Sequence, residues 1–290
     1  MNYLQLLFTI LFFTFQTGIT AQNEEPLRKV EGFSHPESVV FDEKNNMLYV
    51  SNMANDKDGD GFISKVTPEG EIVELKWITR LNDPKGLLVD GDKLYVTDVT
   101  QLVEMDLKKG TINRKISVDG AMSLNDITID AAGSIFFSDL EQSSIYFIPG
   151  KVAAQSMMTT TPEGEIAAYL KSPVLNSPNG LLAHKDELYA ASWGENQDGN
   201  LLKIDMDTKE ISKVTEEGIG NLDGIQPAGD GSFYVSDWAT GKIYRIDQNG
   251  NKNLILTAEK SSGDILFLKE KNQLILPMNF QNSVWWYQLD

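Results

Sequence analysis

Pro178-Asn179-Gly180-Leu181-Leu182-Ala183 is followed by a polar turn, then the run Glu187-Leu188-Tyr189-Ala190-Ala191, an acidic loop, and the run Asn200-Leu201-Leu202-Lys203-Ile204. Short apolar runs punctuated by Gly, Asn and Asp read as an antiparallel meander. The phrase recurs upstream, beginning at Pro36-Glu37-Ser38-Val39-Val40-Phe41, Pro84-Lys85-Gly86-Leu87-Leu88-Val89 and Leu124-Asn125-Asp126-Ile127-Thr128-Ile129. It recurs downstream at Leu222-Asp223-Gly224-Ile225-Gln226-Pro227 and Ser262-Gly263-Asp264-Ile265-Leu266-Phe267. The starts lie 48, 40, 54, 44 and 40 residues apart. Repeats of about 40–50 residues with several short strands each are propeller blades. The expectation is an all-β, six-bladed β-propeller of four-stranded antiparallel blades.

The ends support closure. The last repeat stops after three strands, and Leu27–Glu31 is a strand candidate with no blade of its own. If that N-terminal strand pairs with the last blade, the ring has no exposed edge. Lys151–Pro162 reads as an excursion within the third blade. Residues 22–290 are thus expected to form one propeller domain.

Residues 1–21 read as a signal peptide, with an apolar core from Leu4 to Phe15 and small residues leading to Ala21. The expectation is an exported protein, periplasmic or extracellular, with no membrane span once the leader is removed. The net charge of −17 argues against nucleic acid as a partner. There is no cysteine, which excludes disulfides, thiolate nucleophiles and iron–sulfur clusters, and there are two histidines, His35 and His184. A monomer acting on a small molecule is expected.

In a meander, the residue at the start of each first strand sits near the propeller axis on one face. Across the repeats that column is Glu37, Lys85, Asn125, Asn179, Asp223 and Gly263. Glu37, Asn125, Asn179 and Asp223 offer four oxygen donors with two negative charges. Oxygen ligands without His or Cys suit one hard divalent cation, calcium first, with magnesium, manganese or zinc as alternatives. Calcium takes 6–8 oxygens, so part of its sphere would stay open to water or substrate. The competing reading is that Asn179-Gly180 and Asp223-Gly224 are ordinary turn dipeptides, although Pro36-Glu37-Ser38-Val39 is no turn signature.

At Pro36-Glu37-Ser38-Val39, Leu124-Asn125-Asp126, Ser177-Pro178-Asn179-Gly180-Leu181 and Leu222-Asp223-Gly224-Ile225 the chain resembles the senescence-marker-protein/gluconolactonase (regucalcin-like) family, with paraoxonases as more distant relatives. Ser232-Phe233-Tyr234-Val235-Ser236-Asp237-Trp238 is similar too. The resemblance implies a central metal and hydrolysis of lactones or related esters. It implies Glu37, Asn179 and Asp223 as metal ligands, Asn125 as ligand or substrate contact, and Asp223 as the catalytic base or nucleophile. It departs at Ser123, where members acting on sugar-acid lactones often carry Arg, and in lacking a paraoxonase-like His pair.

Other signals are weaker. Asp56, Asp58 and Asp60 match the front of a calcium loop, but Thr67 stands where the closing Glu belongs. A second calcium there competes with a solvated acidic loop. Asp98, Asp139 and Asp237 recur after the second strands, as structural turns do. Trp193 and Trp238 fall on the presumed substrate face, as pocket walls or blade packing, and Lys85 is a candidate for binding an acidic substrate group. The sequence thus points to a metal-dependent lactonase or esterase. Its rivals are a non-catalytic binding propeller with a structural calcium and a phosphotriesterase-like hydrolase.

Overall fold

A computed structural model describes residues 25–54, 57–155, 161–162 and 164–290. The expected signal peptide, Asp56 and part of the third-blade excursion lie outside the described residues. Six four-stranded antiparallel sheets form the blades of a propeller. The innermost strands are Pro36–Asp42, Pro84–Asp90, Leu124–Ile129, Pro178–His184, Leu222–Pro227 and Leu266–Leu268. The outer strands of blades 1 to 5 are Ile72–Leu81, Thr111–Ser117, Ala167–Lys171, Ile211–Lys213 and Lys252–Thr257. In blade 6 that place is taken by Arg28–Glu31, which pairs with Ser283–Gln288 as the sequence suggests. The excursion of blade 3 begins with a short helix, Lys151–Gln155.

Alternate side chains of each strand face the blade on either side. The core accordingly divides into six apolar layers between neighbouring blades. One layer joins Val39, Val50 and Val66 of blade 1 to Leu266, Ile275 and Trp286 of blade 6. Trp285 and Trp286 are buried, as expected of structural residues, and the Trp286 ring N–H donates to Pro68 O across the closure.

Near the axis the regular ladder breaks. Strands one and two of each blade pair normally at their far ends, but register shifts occur at Pro36/Val39, Pro84/Leu87, Leu124/Ile127, Pro178/Gly180 and Leu222/Ile225. Each shift is a bulge that leaves backbone groups without ladder partners. Second-strand hydroxyls fill the vacancy. Ser51, Ser138 and Ser236 accept the N–H of Ser38, Asp126 and Gly224. Thr97, Ser138 and Ser236 donate to the carbonyls of Asn125, Asn179 and Gly263 in the next blade. A hydroxyl suits both tasks because it donates and accepts at once. Blade 4 carries Ala191 there, and its bulge is one residue smaller, with Gly180 paired directly to Ala191.

Blade 6 differs from the expected first strand. Its continuous ladder covers only Leu266–Leu268, and Ser262 is joined to the second strand by an isolated antiparallel bridge to Met278. Pro277 opposite has no N–H to give, although its carbonyl accepts from Gly263 N. The Asp264 N–H turns instead to Glu37 O in blade 1, at 2.8 Å. The ring is thus sewn at the axis as well as at the periphery.

Removing a doubly used hydroxyl strands a buried donor and a buried acceptor. Ser138→Ala should therefore lower unfolding stability by about 1–3 kcal/mol. Ser212→Ala, on an exposed outer strand, should stay within about 0.5 kcal/mol. Urea titrations of the two variants test this, and equal midpoints would remove the bridging role.

Candidate functional site

The bulges decide what reaches the axis. In a regular strand, consecutive residues face opposite ways. Here both residues of each pair at the strand start are buried where the six blades converge, apart from the half-buried Lys85. Glu37, Asn125, Asn179 and Asp223 are all no more than 5% exposed. The residues after them form a second column, Ser38, Gly86, Asp126, Gly180, Gly224 and Asp264. Asp126 and Asp264 in that column are also buried.

Gly180 and Gly224 are not in the left-handed region that a turn would need. They lie inside strands, where the next blade passes too close for a side chain. A Cβ on Gly180 would collide with Asp223 O, and one on Gly224 with Ile265 N and Asp264. The Asn-Gly and Asp-Gly pairs are therefore axial contacts rather than turns.

One hydrogen bond organises the donors. Asn179 Nδ2 donates to Asp223 Oδ2 at 2.9 Å. Asn179 Oδ1 and Asp223 Oδ1 are then left buried with no hydrogen-bond partner. Asp264 Oδ1 is likewise buried and unpartnered. Glu37 accepts from the Ser38 hydroxyl at 2.6 Å. Asp126 is more fully used, accepting the N–H groups of Ile127 and Leu181, each at 2.6 Å. Buried oxygens without donors are costly, and three of them at one axis is the signature of a site that awaits a cation or a proton. Among the described residues no three His, Cys, Asp or Glu side chains form a ready-made metal cluster. The Glu37, Asn125, Asn179 and Asp223 set holds only two carboxylates, so its other donors fall outside such a grouping.

Crowding of acids raises their proton affinity. Burial pushes the Glu37 carboxyl up to about 7, with the Ser38 hydroxyl and the Lys85 charge opposing it. Burial also takes Asp126 to about 7, against the two backbone N–H donors. Asp223 and Asp264 are raised well above the usual carboxylate range, by burial first and then by their acidic neighbours. Lys85 is the cation of the column. Its Nζ lies 3.7 Å from Asp83 Oδ2, and its charge is felt at both Glu37 and Asp223.

With this geometry, residues 35–262 match the model of the SMP-30/gluconolactonase/LRE-like region. The chain belongs to the SMP-30/gluconolactonase/LRE-like family. No curated protein matches the sequence. Among solved structures, the chain is similar to selenomethionine-substituted virginiamycin B lyase from Staphylococcus aureus, with a TM-score of 0.62 and 13% identity over 90% of this chain and 99% of that one. At that identity the likeness concerns the fold alone. Of the axial residues, Gly263 and Asp264 lie just beyond the family match.

The remaining sequence candidates sort by position. Trp193 and Trp238 follow second strands on the face where the first strands begin, half-buried and 6.0 Å apart between ring centres. Asp98, Asp139 and Asp237 are structural. Their carboxylates accept backbone N–H groups of the segments entering the first strands, at Asn82, Asp83, Met122, Ser123 and Asn221. His35 is a turn residue with φ of 47°, its ring 3.1 Å from Ala54 O. Asp58 is exposed and Asp60 Oδ2 accepts from Lys57 N, while Asp56 lies outside the described residues.

Sequence reasoning missed Asp126, Asp264 and Ser38. Only a bulge brings the second column to the axis, and the available signal was its restriction to Ser, Gly and Asp. It also missed a cavity of about 560 Å³ on the opposite face. Val39, Leu87, Ile127, Leu181, Ile225 and Leu266 wall it, and Asp126 and Asp264 line it too.

The raised carboxyls carry a sign. The folded chain holds protons that the unfolded chain has released, so chelated protein should lose stability as pH rises from about 4.5 through about 7. In EDTA, the melting temperature should fall between pH 5.5 and pH 8. The fall should be smaller in the Asp126→Asn/Asp264→Asn double variant. Equal falls in the two proteins would place the cause elsewhere.

Proposed function

We propose that the chain is a metal-dependent hydrolase of lactones or related esters. The observation that carries this reading is the pair of buried, unpartnered oxygens, Asn179 Oδ1 and Asp223 Oδ1, on two axial side chains joined by one hydrogen bond through their other polar atoms. Membership of the SMP-30/gluconolactonase/LRE-like family supports it. An oxygen-only donor set suits calcium before zinc. Glu37, Asn179 and Asp223 would hold the cation, with Asn125 as a further donor. Bound there, a hard divalent cation would polarise the substrate carbonyl and favour the charge that develops on its oxygen.

The chain's own groups do the rest. Asp223 takes a proton from water as it adds to the carbonyl carbon, or attacks that carbon itself. In the first route water adds and the acyl–oxygen bond breaks in one cycle. In the second the alcohol leaves first and water then hydrolyses the acyl-Asp223 anhydride, so both yield a carboxylic acid and an alcohol, joined in one molecule when the substrate is a lactone. In the metal-free chain, burial and the neighbouring Glu37 and Asp126 raise the proton affinity of Asp223 above that of a solvated Asp. Asn179 fixes the orientation of that carboxylate through its amide. Lys85 offsets the acidic cluster and offers a positive charge to an acidic substrate group.

Turnover of a lactone and ester panel should disappear in chelator and return with calcium, magnesium or manganese. Tight cation binding without turnover on any member would favour the non-catalytic binding propeller instead. Asp223→Asn keeps a ligand oxygen but loses the base, and should lower kcat by about 10²–10⁴-fold at any metal concentration. Glu37→Gln weakens only metal binding, so excess cation should restore its rate. If excess cation restores both variants equally, Asp223 is a ligand and not the base.

A further inference from the structure

One backbone position recurs just above the column. In blades 1, 3, 4, 5 and 6 the residue after the second strand donates its N–H to the carbonyl two residues before the column residue. The donors are Met53, Leu140, Trp193, Trp238 and Asn279, and the acceptors His35, Ser123, Ser177, Asn221 and Ser261. Val99 holds the corresponding place in blade 2. This six-membered rim stands over the axial donors, and every member but Asn279 is apolar or aromatic. The Asn279 side chain is buried, its amide directed at Met53 Sδ. The rim therefore shows few groups that could bind hydroxyls.

The apolar surface is lopsided. Trp193 of blade 4 meets Trp238 of blade 5, and Trp238 meets Phe280 of blade 6 edge-on with ring centres 5.6 Å apart. Phe280 is 55% exposed. Single exposed apolar side chains are ordinary. Here, however, three of the five large ones among the described residues belong to loops on this face, Met122, Val174 and Phe280, beside Leu27 and Val73 elsewhere. An aromatic arc spanning three blades, partly uncovered and tied by the Trp193 and Trp238 backbones to Ser177 and Asn221, two residues before Asn179 and Asp223, reads as a binding wall rather than packing.

We propose that Trp193, Trp238 and Phe280 form the specificity wall of the site, and that it takes an aromatic or extended apolar substituent of the lactone or ester. The inference rests on the hydrolase reading for the bond that is cleaved. Polyhydroxylated sugar-acid lactones are the wrong match, because the rim offers rings where they need hydrogen-bond partners and Ser123 supplies no cationic side chain. Phe280 is the specificity residue that distinguishes the wall from a pair of packed tryptophans, since its ring adds to the arc while staying open to solvent.

The test uses the metal-loaded protein with dihydrocoumarin, γ-butyrolactone and glucono-δ-lactone as substrates. Dihydrocoumarin should have the highest kcat/KM. Phe280→Ala should lower that value about tenfold, mainly through KM, and at least fivefold more than it lowers the value for γ-butyrolactone. Phe280→Tyr should restore it. Equal losses on both lactones, or glucono-δ-lactone as the best substrate, would overturn the proposal. Calorimetric titration with 2-naphthol, which has no ester to cleave, separates this inference from the hydrolase reading. If no lactone turns over yet 2-naphthol binds the parent protein and not Phe280→Ala, the wall stands and the reaction assignment falls. If 2-naphthol does not bind, the wall falls whatever the turnover.

Discussion

The site depends on a backbone defect repeated around the ring. Six inner strands cannot run regularly to one axis and also bring two successive side chains to it, because the pleat sends neighbours to opposite faces. The bulge removes that limit and leaves an unpaired N–H in its place. Ser51, Ser138 and Ser236 satisfy that group, and Ser138 and Ser236 use their own protons to hold the column carbonyl of the following blade. The hydroxyls thus set the position of Asn179 and Gly263 from outside the site. Where the hydroxyl is missing, at Ala191, the bulge contracts and Gly180 admits the next blade directly. Local chemistry and local geometry change together, as expected where every level of a structure must agree.

The same construction concentrates charge. Glu37, Asp126, Asp223 and Asp264 are buried close enough to raise one another's proton affinity, with Lys85 as the opposing charge. A core built for stability alone would place apolar groups there, since buried ions are worth less than well-packed hydrocarbon. Without a cation the cluster holds protons instead. A divalent cation bound there would compete with protons for the same oxygens, so pH and metal would act on one equilibrium. Asp126, whose two oxygens already accept backbone N–H groups, is the member with least to offer a cation.

The blades were legible because they are periodic, with apolar runs of strand length and polar turns at repeating intervals. The first column was legible for the same reason, since equivalent positions in six repeats must converge. The second column was not, because reading Ser38, Asp126 and Asp264 requires knowing that the strand skips a beat, and alternation assigns them to the other face. The hydroxyls could have been noticed as the Ser or Thr preceding Asp98, Asp139 and Asp237, and Asn52 in blade 1 continues that series by accepting from Ser34 N. In blade 6 the repeat pattern held in part. Ser262 bridges Met278 as the start of an inner strand does, but Pro277 opposite Gly263 has no N–H and the Asp264 N–H goes to Glu37 O of blade 1. Phe280 escaped for a simpler reason, lying one residue past the repeated rim position.

A propeller supplies nearly equivalent backbone positions, and its chemistry comes from breaking that equivalence. Oxygen donors occupy the column in blades 3, 4 and 5 and again in blade 1, while blade 2 gives Lys85 and blade 6 gives Gly263. The aromatic arc covers blades 4, 5 and 6. Asn179 and Asp223 are the axial donors of blades 4 and 5, the blades of the two tryptophans, and they are also the pair joined by a hydrogen bond with their Oδ1 atoms left over. Lys85 stands in the blade opposite Asp223. A molecule resting on the rings would therefore have Asp223 and Asn179 on one side of the axis and a positive charge on the other. Rotating the sequence by one blade would keep the fold and separate these elements, so the order of the repeats is itself part of the site.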